Sequence, residues 1–192
     1  MSAPAKRVAT YADVLAAPPH VVAEVIEGVP RTRPRPAPPH AVAQMALGHE
    51  LAGPYQKRRG GGPGGWVFMV EPELHLGGDI VVPDIAGWRT DRMTSMPEGA
   101  FVTLAPDWVC EILSPSTAFL DRGPKRRIYA EAGVPHLWLF DPLARLLEAF
   151  ALAAGQWLLL TTIEPGQEVR VPPFDTVGFA LDDLFPFPPS TP

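Results

Sequence analysis

Three residues of this 192-residue chain have types and spacing that could do chemistry: Asp84, Glu111 and Lys125. Asp84 follows Pro83 in the apolar stretch Val81-Val82-Pro83-Asp84-Ile85-Ala86-Gly87-Trp88. An Asp after Pro is ordinarily a turn residue, and its interest comes from Glu111, which interrupts the run Trp108-Val109-Cys110-Glu111-Ile112-Leu113. If the two stretches pair as neighbouring strands, their carboxylates converge. Two unit charges about 4 Å apart at an effective dielectric of about 20 repel by roughly 4 kcal/mol. Protonation of one acid, or a divalent cation, relieves that repulsion. Oxygen ligands at a partly hydrated site favour magnesium or manganese. A lysine beside such a cation can hold a phosphate oxygen or orient an attacking water.

The elements that must position these groups lie between Asp107 and Asp141. With a side-chain period of two, Trp108, Cys110 and Ile112 share one face, and Val109, Glu111 and Leu113 share the other. Both faces are mostly apolar, as in a central strand covered on both sides. A carboxylate there is costly unless a positive group meets it. Ser114-Pro115-Ser116-Thr117 reads as a turn, and Asp121 to Ala132 as a helix with Asp121 as N-cap, Pro124 in the first turn and Gly133 as the stop. This helix carries Lys125, Arg126 and Arg127. Pro135 then leads into a second strand, His136 to Phe140, closed by Asp141-Pro142.

Elsewhere, Tyr11 to Leu15 reads as a short helix, and Val21 to Gly28 as a strand with a turn at Gly28. Glu24 in that strand is either a solvent-facing acid on an edge or a member of the site. Pro30 to Pro39 reads as a stiff connector or exposed loop. Its Arg31, Arg33 and Arg35 are either solvated or an arm that touches phosphate. His40 to Lys57 is helical, with His40 a cap or surface residue near its start. Gly60 to Gly65 is a flexible turn and not a phosphate loop, because no Lys-Ser or Lys-Thr follows. Trp66 to Val70 and Leu74 to Leu76 are strand-like, and Arg89 to Glu98 is a polar connector. Arg145 to Phe150 and Trp157 to Thr162 form a hairpin turning near Ala154-Gly155. Glu168 to Val171 and Asp175 to Leu184 complete the sheet and add a short helix.

Composition narrows the function classes. Apolar residues at 46% and charged ones at 19% are those of a globular protein able to build a core. The net charge of -5 supplies no bulk field toward nucleic acid. The single cysteine, Cys110, excludes a disulfide within the chain and a zinc–cysteine cluster. No apolar run reaches the length of a membrane span, and no apolar signal segment opens the sequence. The expectation is one domain over residues 1–192, cytoplasmic, with flexible tails at 1–10 and 186–192. A serine hydrolase using Ser114 or Ser116 with His136 has little support, since there is no Gly-x-Ser-x-Gly elbow.

One string of residues resembles the Uma-two family of bacterial proteins, described as restriction endonucleases. The string is Pro83-Asp84, Glu111 to Thr117, Asp121, Lys125, Tyr129, Gly133-Val134-Pro135 and Trp138 to Pro142. Glu24-Val25-Ile26-Glu27-Gly28 is similar to the family's Glu-Leu-Ile-Asp-Gly segment, and His40 falls where the family often has a histidine after a proline-rich loop. The resemblance spans about Tyr11 to Phe185. It implies an α/β (α+β mixed) fold: a restriction-endonuclease-like PD-(D/E)xK core with a central mixed β-sheet flanked by helices. It implies a magnesium- or manganese-dependent endonuclease acting on DNA phosphodiester bonds. Asp84 and Glu111 would be metal ligands, Lys125 the catalytic lysine and Glu24 an auxiliary acid. Leu113 stands two residues past Glu111, where the wider superfamily has its lysine, so Lys125 on the next helix would take that place. Asp121, one turn before Lys125, either orients the ammonium or caps the helix. Arg122, Arg126 and Arg127 would follow the phosphate backbone. A homodimer suits cleavage of both strands. The alternative is a catalytically silent nucleic-acid-binding or assembly protein on the same fold.

Overall fold

The sheet is organised around β7 (Trp108–Ile112), all five of whose residues are buried. The structure, a computed structural model, describes residues 7–188. Alternation sends Trp108, Cys110 and Ile112 into one apolar cluster and Val109, with Leu113 beyond it, into the other. On its two sides stand β6 (Ile85–Arg89), antiparallel, and β8 (His136–Asp141), parallel. The sheet extends to β3 (Trp66–Val70) at one end, and through β9 (Leu146–Ala153) to β10 (Gln156–Ile163) at the other. The order is β10-β9-β8-β7-β6-β3. This six-stranded mixed sheet flanked by helices is the expected architecture.

A parallel pair needs a crossover. Here it is a continuous helical segment of α3 (Ala118–Leu120), a π-helical turn (Asp121–Lys125) and α4 (Arg126–Glu131). The helix therefore starts three residues earlier than expected. Thr117 takes the cap position, and the Asp121 N–H already bonds the Thr117 carbonyl at 3.2 Å. Asp121 is not an N-cap, and Pro124 lies inside the helix. Lacking an N–H, Pro124 cannot bond four residues back, and the backbone widens locally into a π-helical turn.

A smaller antiparallel sheet runs β2-β1-β5-β4. It comprises β1 (Val21–Ile26), β2 (Val29–Pro34), β4 (Leu74–Leu76) and β5 (Asp79–Val81). The first half of the expected proline-rich connector is thus a strand. Prolines are admitted because β2 lies at the sheet margin. Glu27 and Gly28 make the β1–β2 turn, both with positive φ (53° and 70°), the conformation favoured in two-residue hairpins.

The expected short helix, α1 (Tyr11–Leu15), precedes β1, and one face of the large sheet is covered by α2 (Pro38–Leu51), which continues as a π-helical turn, Ala52–Gln56. Ala43, Leu47, Leu51 and Tyr55 pack there with Trp108, Trp138 and Phe174. Ile128, Tyr129 and Val134 cover the other face together with residues of the small sheet. The last two strands, β11 (Glu168–Val171) and β12 (Phe174–Ala180), form a separate hairpin over the first face instead of completing the sheet. A single 3-10 turn, Leu181–Leu184, follows. Of the expected tails, residues 1–6 and 189–192 lie outside the described residues. Ala9 is tied in, its N–H bonding the Gly28 carbonyl at 2.9 Å.

Candidate active site

Asp84 stands immediately before β6. The β6–β7 register pairs Ile85 with Cys110, and one step further it sets Asp84 beside Glu111. Asp84 Oδ2 accepts the Ile112 N–H at 2.7 Å and lies 3.2 Å from His40 Nε2. His40 is in the first turn of α2 and buried, and Gln44, one turn on, donates to the Asp84 carbonyl at 2.7 Å. Asp84 Oδ1 is buried with no hydrogen-bond partner and faces the Arg33 guanidinium at 3.7 Å. Burial works to raise the Asp84 carboxyl, but the bond to His40 and the charges of Lys125 and Arg33 outweigh it and hold the group below its usual value.

Glu111 receives two bonds on one oxygen. Its Oε1 accepts from Lys125 Nζ at 2.7 Å and from the Tyr129 hydroxyl at 2.5 Å. Lys125 projects from the π-helical turn and is almost fully buried. Besides Glu111, its Nζ lies 3.4 Å from Asp121 Oδ1, 3.5 Å from Glu24 Oε1 and 3.4 Å from the Val82 carbonyl. Glu24 is not a solvent-facing edge acid: β1 lies between β2 and β5, and Glu24 is 3% exposed. Its Oε1 accepts the Val82 N–H at 2.8 Å.

Four carboxylates (Glu24, Asp84, Glu111 and Asp121) thus face two cations, Lys125 and Arg33. Burial raises Glu111 to about 8, with Lys125 opposing and the Asp121 and Asp84 charges adding to it. Burial also raises Asp121. For Lys125 burial acts to lower the pKa, but Glu111, Glu24 and Asp121 more than reverse it, so the side chain stays an ammonium. Burial and the Lys125 ammonium thus act on Glu111 in opposite directions, and burial is the larger.

Arg33, Arg35, His40, Asp84, Glu111, Asp121, Lys125 and the Ser114–Thr117 turn line one cavity of about 270 Å³. Of the residues singled out in the sequence, the structure gathers Asp84, Glu111, Lys125, Asp121 and His40 on its wall, with Glu24 bonded to Lys125. The helix arginines are elsewhere. Arg122 pairs with Glu148 at 2.6 Å, Arg126 lies over the Phe150 ring at 4.5 Å, and Arg127 pairs with Glu27. None of the three lines the cavity; for Arg126 and Arg127 the reason is that a helix that turns Lys125 inward turns its next two residues away. Ser114 bonds Ser116 and Thr117, and no hydrogen bond joins His136 to either serine among the described residues.

Sequence reasoning passed over Gln44, placed Tyr129 in the resembling string without a role, and left Arg33 undecided. Gln44 follows His40 by four residues, and Tyr129 follows Lys125 by four, as Lys125 follows Asp121; that spacing marks one helix face. Arg33 was signalled by arginine recurring every second residue through the prolines.

Among the described residues, no three His, Cys, Asp or Glu side chains come together as a ready metal cage. The donor set nevertheless suits a hard divalent cation. Magnesium commonly uses one or two carboxylates and takes its other ligands from water and substrate phosphate. The cavity offers Asp84, with Oδ1 unpartnered, and Glu111, whose two hydrogen bonds both fall on Oε1.

No curated protein matches the chain. Among solved structures, it is similar to "a putative nuclease belonging to DUF820" from Anabaena variabilis, with a TM-score of 0.74 and 24% identity over 92% of this chain and 97% of that one. That likeness concerns the fold. A family model described as "Putative restriction endonuclease" matches residues 8–182. With nearly its whole length matched and its strand–helix–strand core in place, the chain belongs to this family, Uma2.

Proposed function

We propose that the chain is a divalent-metal-dependent endonuclease that hydrolyses DNA phosphodiester bonds. One observation carries the reading: Asp84, Glu111 and Lys125, from three separate segments, meet on the wall of one cavity, and Asp84 Oδ1 is unpartnered there. Asp84 and Glu111 would hold magnesium or manganese, which when bound polarises a phosphoryl oxygen and lowers the pKa of water. His40 and the Ile112 N–H fix Asp84 Oδ2, and Tyr129 fixes Glu111 Oε1. Lys125 is held as an ammonium by three carboxylates. It is therefore suited to stabilise negative charge developing on the phosphoryl oxygens, and unsuited to act as a base. Glu24 and Asp121 position Lys125 in this scheme. We further read residues 1–192 as one nuclease-like domain acting in the cytoplasm as a two-fold dimer, since two related sites suit two strands.

The test is cleavage of circular duplex DNA with magnesium or manganese. Asp84→Ala and Lys125→Ala should each lower the rate at least about a hundredfold while circular dichroism shows an intact fold. Full activity in both would end the idea. A second reading, binding without turnover, is favoured by one observation: Lys125 and Arg33 already meet the Glu111 and Asp84 carboxylates. It predicts duplex binding with no cleavage and no effect of magnesium on thermal stability.

A further inference from the structure

We propose that Arg33 is an exchangeable cation of the site, neutralising Asp84 and Glu24 until a divalent cation arrives and then turning to a substrate phosphate. This rests on the metal-dependent reading above. Two cations serve the four carboxylates, and they are held differently. Lys125 has a 2.7 Å contact to Glu111 and two more carboxylates within 3.5 Å. Arg33 reaches Asp84 Oδ1 only at 3.7 Å and Glu24 Oε2 at 3.9 Å, with one hydrogen bond, to the Val82 carbonyl at 3.2 Å. It comes from the marginal strand β2, and its side chain, 13% exposed, lines the open cavity. One cation is fixed and the other is loosely held.

The atom that Arg33 faces is the one with no hydrogen-bond partner, Asp84 Oδ1. A magnesium ion held by that oxygen would be in direct contact with it. The guanidinium at its present distance would then crowd a like charge, so the two cannot both neutralise this carboxylate. Released from Asp84, the guanidinium has the geometry that grips a phosphate with two parallel hydrogen bonds. A phosphodiester in the cavity would give Arg33 a new partner and leave the Asp84 oxygen free to hold the metal. Each ligand thus favours the other, and linkage requires the effect to be reciprocal.

The experiment is calorimetric titration of the full chain with magnesium, alone and with a phosphorothioate duplex that resists cleavage. It uses wild type, Arg33→Ala, Arg31→Ala and Asp84→Ala, with thermal melts to confirm folding. Arg31 is exposed on the same strand and removes the same charge outside the cavity. Wild type should bind magnesium weakly alone and about tenfold more tightly with duplex. Arg33→Ala should bind it about tenfold more tightly alone and gain little from duplex, and Arg31→Ala should follow wild type. If Asp84→Ala abolishes binding but Arg33→Ala matches wild type, the exchange idea fails and the metal reading survives. Equal tightening in Arg31→Ala would reduce the effect to bulk charge and also overturn it. If no form binds magnesium, with or without duplex, the metal-dependent reading fails and takes this proposal with it.

Discussion

Glu111 shows how a single buried acid links structure to pH. Burial pushes its carboxyl up to about 8 in the folded protein, against an ordinary value of 4.5. The native state therefore keeps a proton that the unfolded chain releases. The stability associated with this group is fully present below about pH 4.5 and is lost as pH rises toward 8. Asp84, held below its usual value, acts in the opposite sense, its contribution fading only as pH falls below the ordinary range for Asp. The metal-free protein should accordingly melt at lower temperature as pH rises from about 5 to about 8, and saturating magnesium should flatten or reverse that slope. Differential scanning calorimetry across this range checks both parts. An unchanged profile with magnesium would count against a cation on these carboxylates. At this scale the sequence was legible where a residue type clashed with its neighbours: an acid in an apolar strand, an acid after a proline. It was not legible for Arg33, because whether an arginine among prolines faces solvent or a cavity depends on a partner strand far along the chain. The role of Tyr129 was equally hidden, since a tyrosine on a helix face reads as core until its hydroxyl is seen to meet Glu111.

Elements were readable to the extent that their periodicity was local. The alternation of β7 and the turn at Ala154-Gly155 depend only on neighbouring residues, and both appear as expected. The helix after β7 was misjudged at its start because a proline is ordinarily a first-turn residue. Here Pro124 is absorbed by a π-helical turn, and that turn also carries Lys125. The hairpin of β11 and β12 was misplaced because strand-like sequence does not say which sheet a strand joins. The β9–β10 turn offers a test of its own. Ala154 adopts φ 49° and Gly155 φ 75°, a pair of left-handed conformations that favours Asn-Gly. Ala154→Asn should stabilise the protein by about 0.5–1 kcal/mol in urea unfolding, with no change in cation binding. Destabilisation would show that the turn is not as described.

At the scale of the molecule, a net charge of -5 supplies no general attraction for a polyanion. The cations on the cavity wall are Arg33, Arg35 and Lys125, while Arg122 and Arg127 are paired elsewhere. Duplex binding with magnesium present should therefore depend only mildly on salt. The slope of log K against log salt should be about -2 to -3, set by two or three phosphate contacts. Fluorescence anisotropy at several salt concentrations measures it. A slope near -6 would mean an extended basic surface and restore the helix arginines as a backbone track.

The placement of prolines in β2 has a consequence for self-association. In the register with β1, Pro30 lies opposite Val25, Thr32 opposite Ala23 and Pro34 opposite Val21. A two-residue turn makes these the positions whose nitrogens point away from β1. Two of the three are proline, so the outer rim of this strand offers a single N–H, that of Thr32. A strand from another molecule could not zip onto it. The segment that presents arginine to the site is thereby guarded against fibre-like growth.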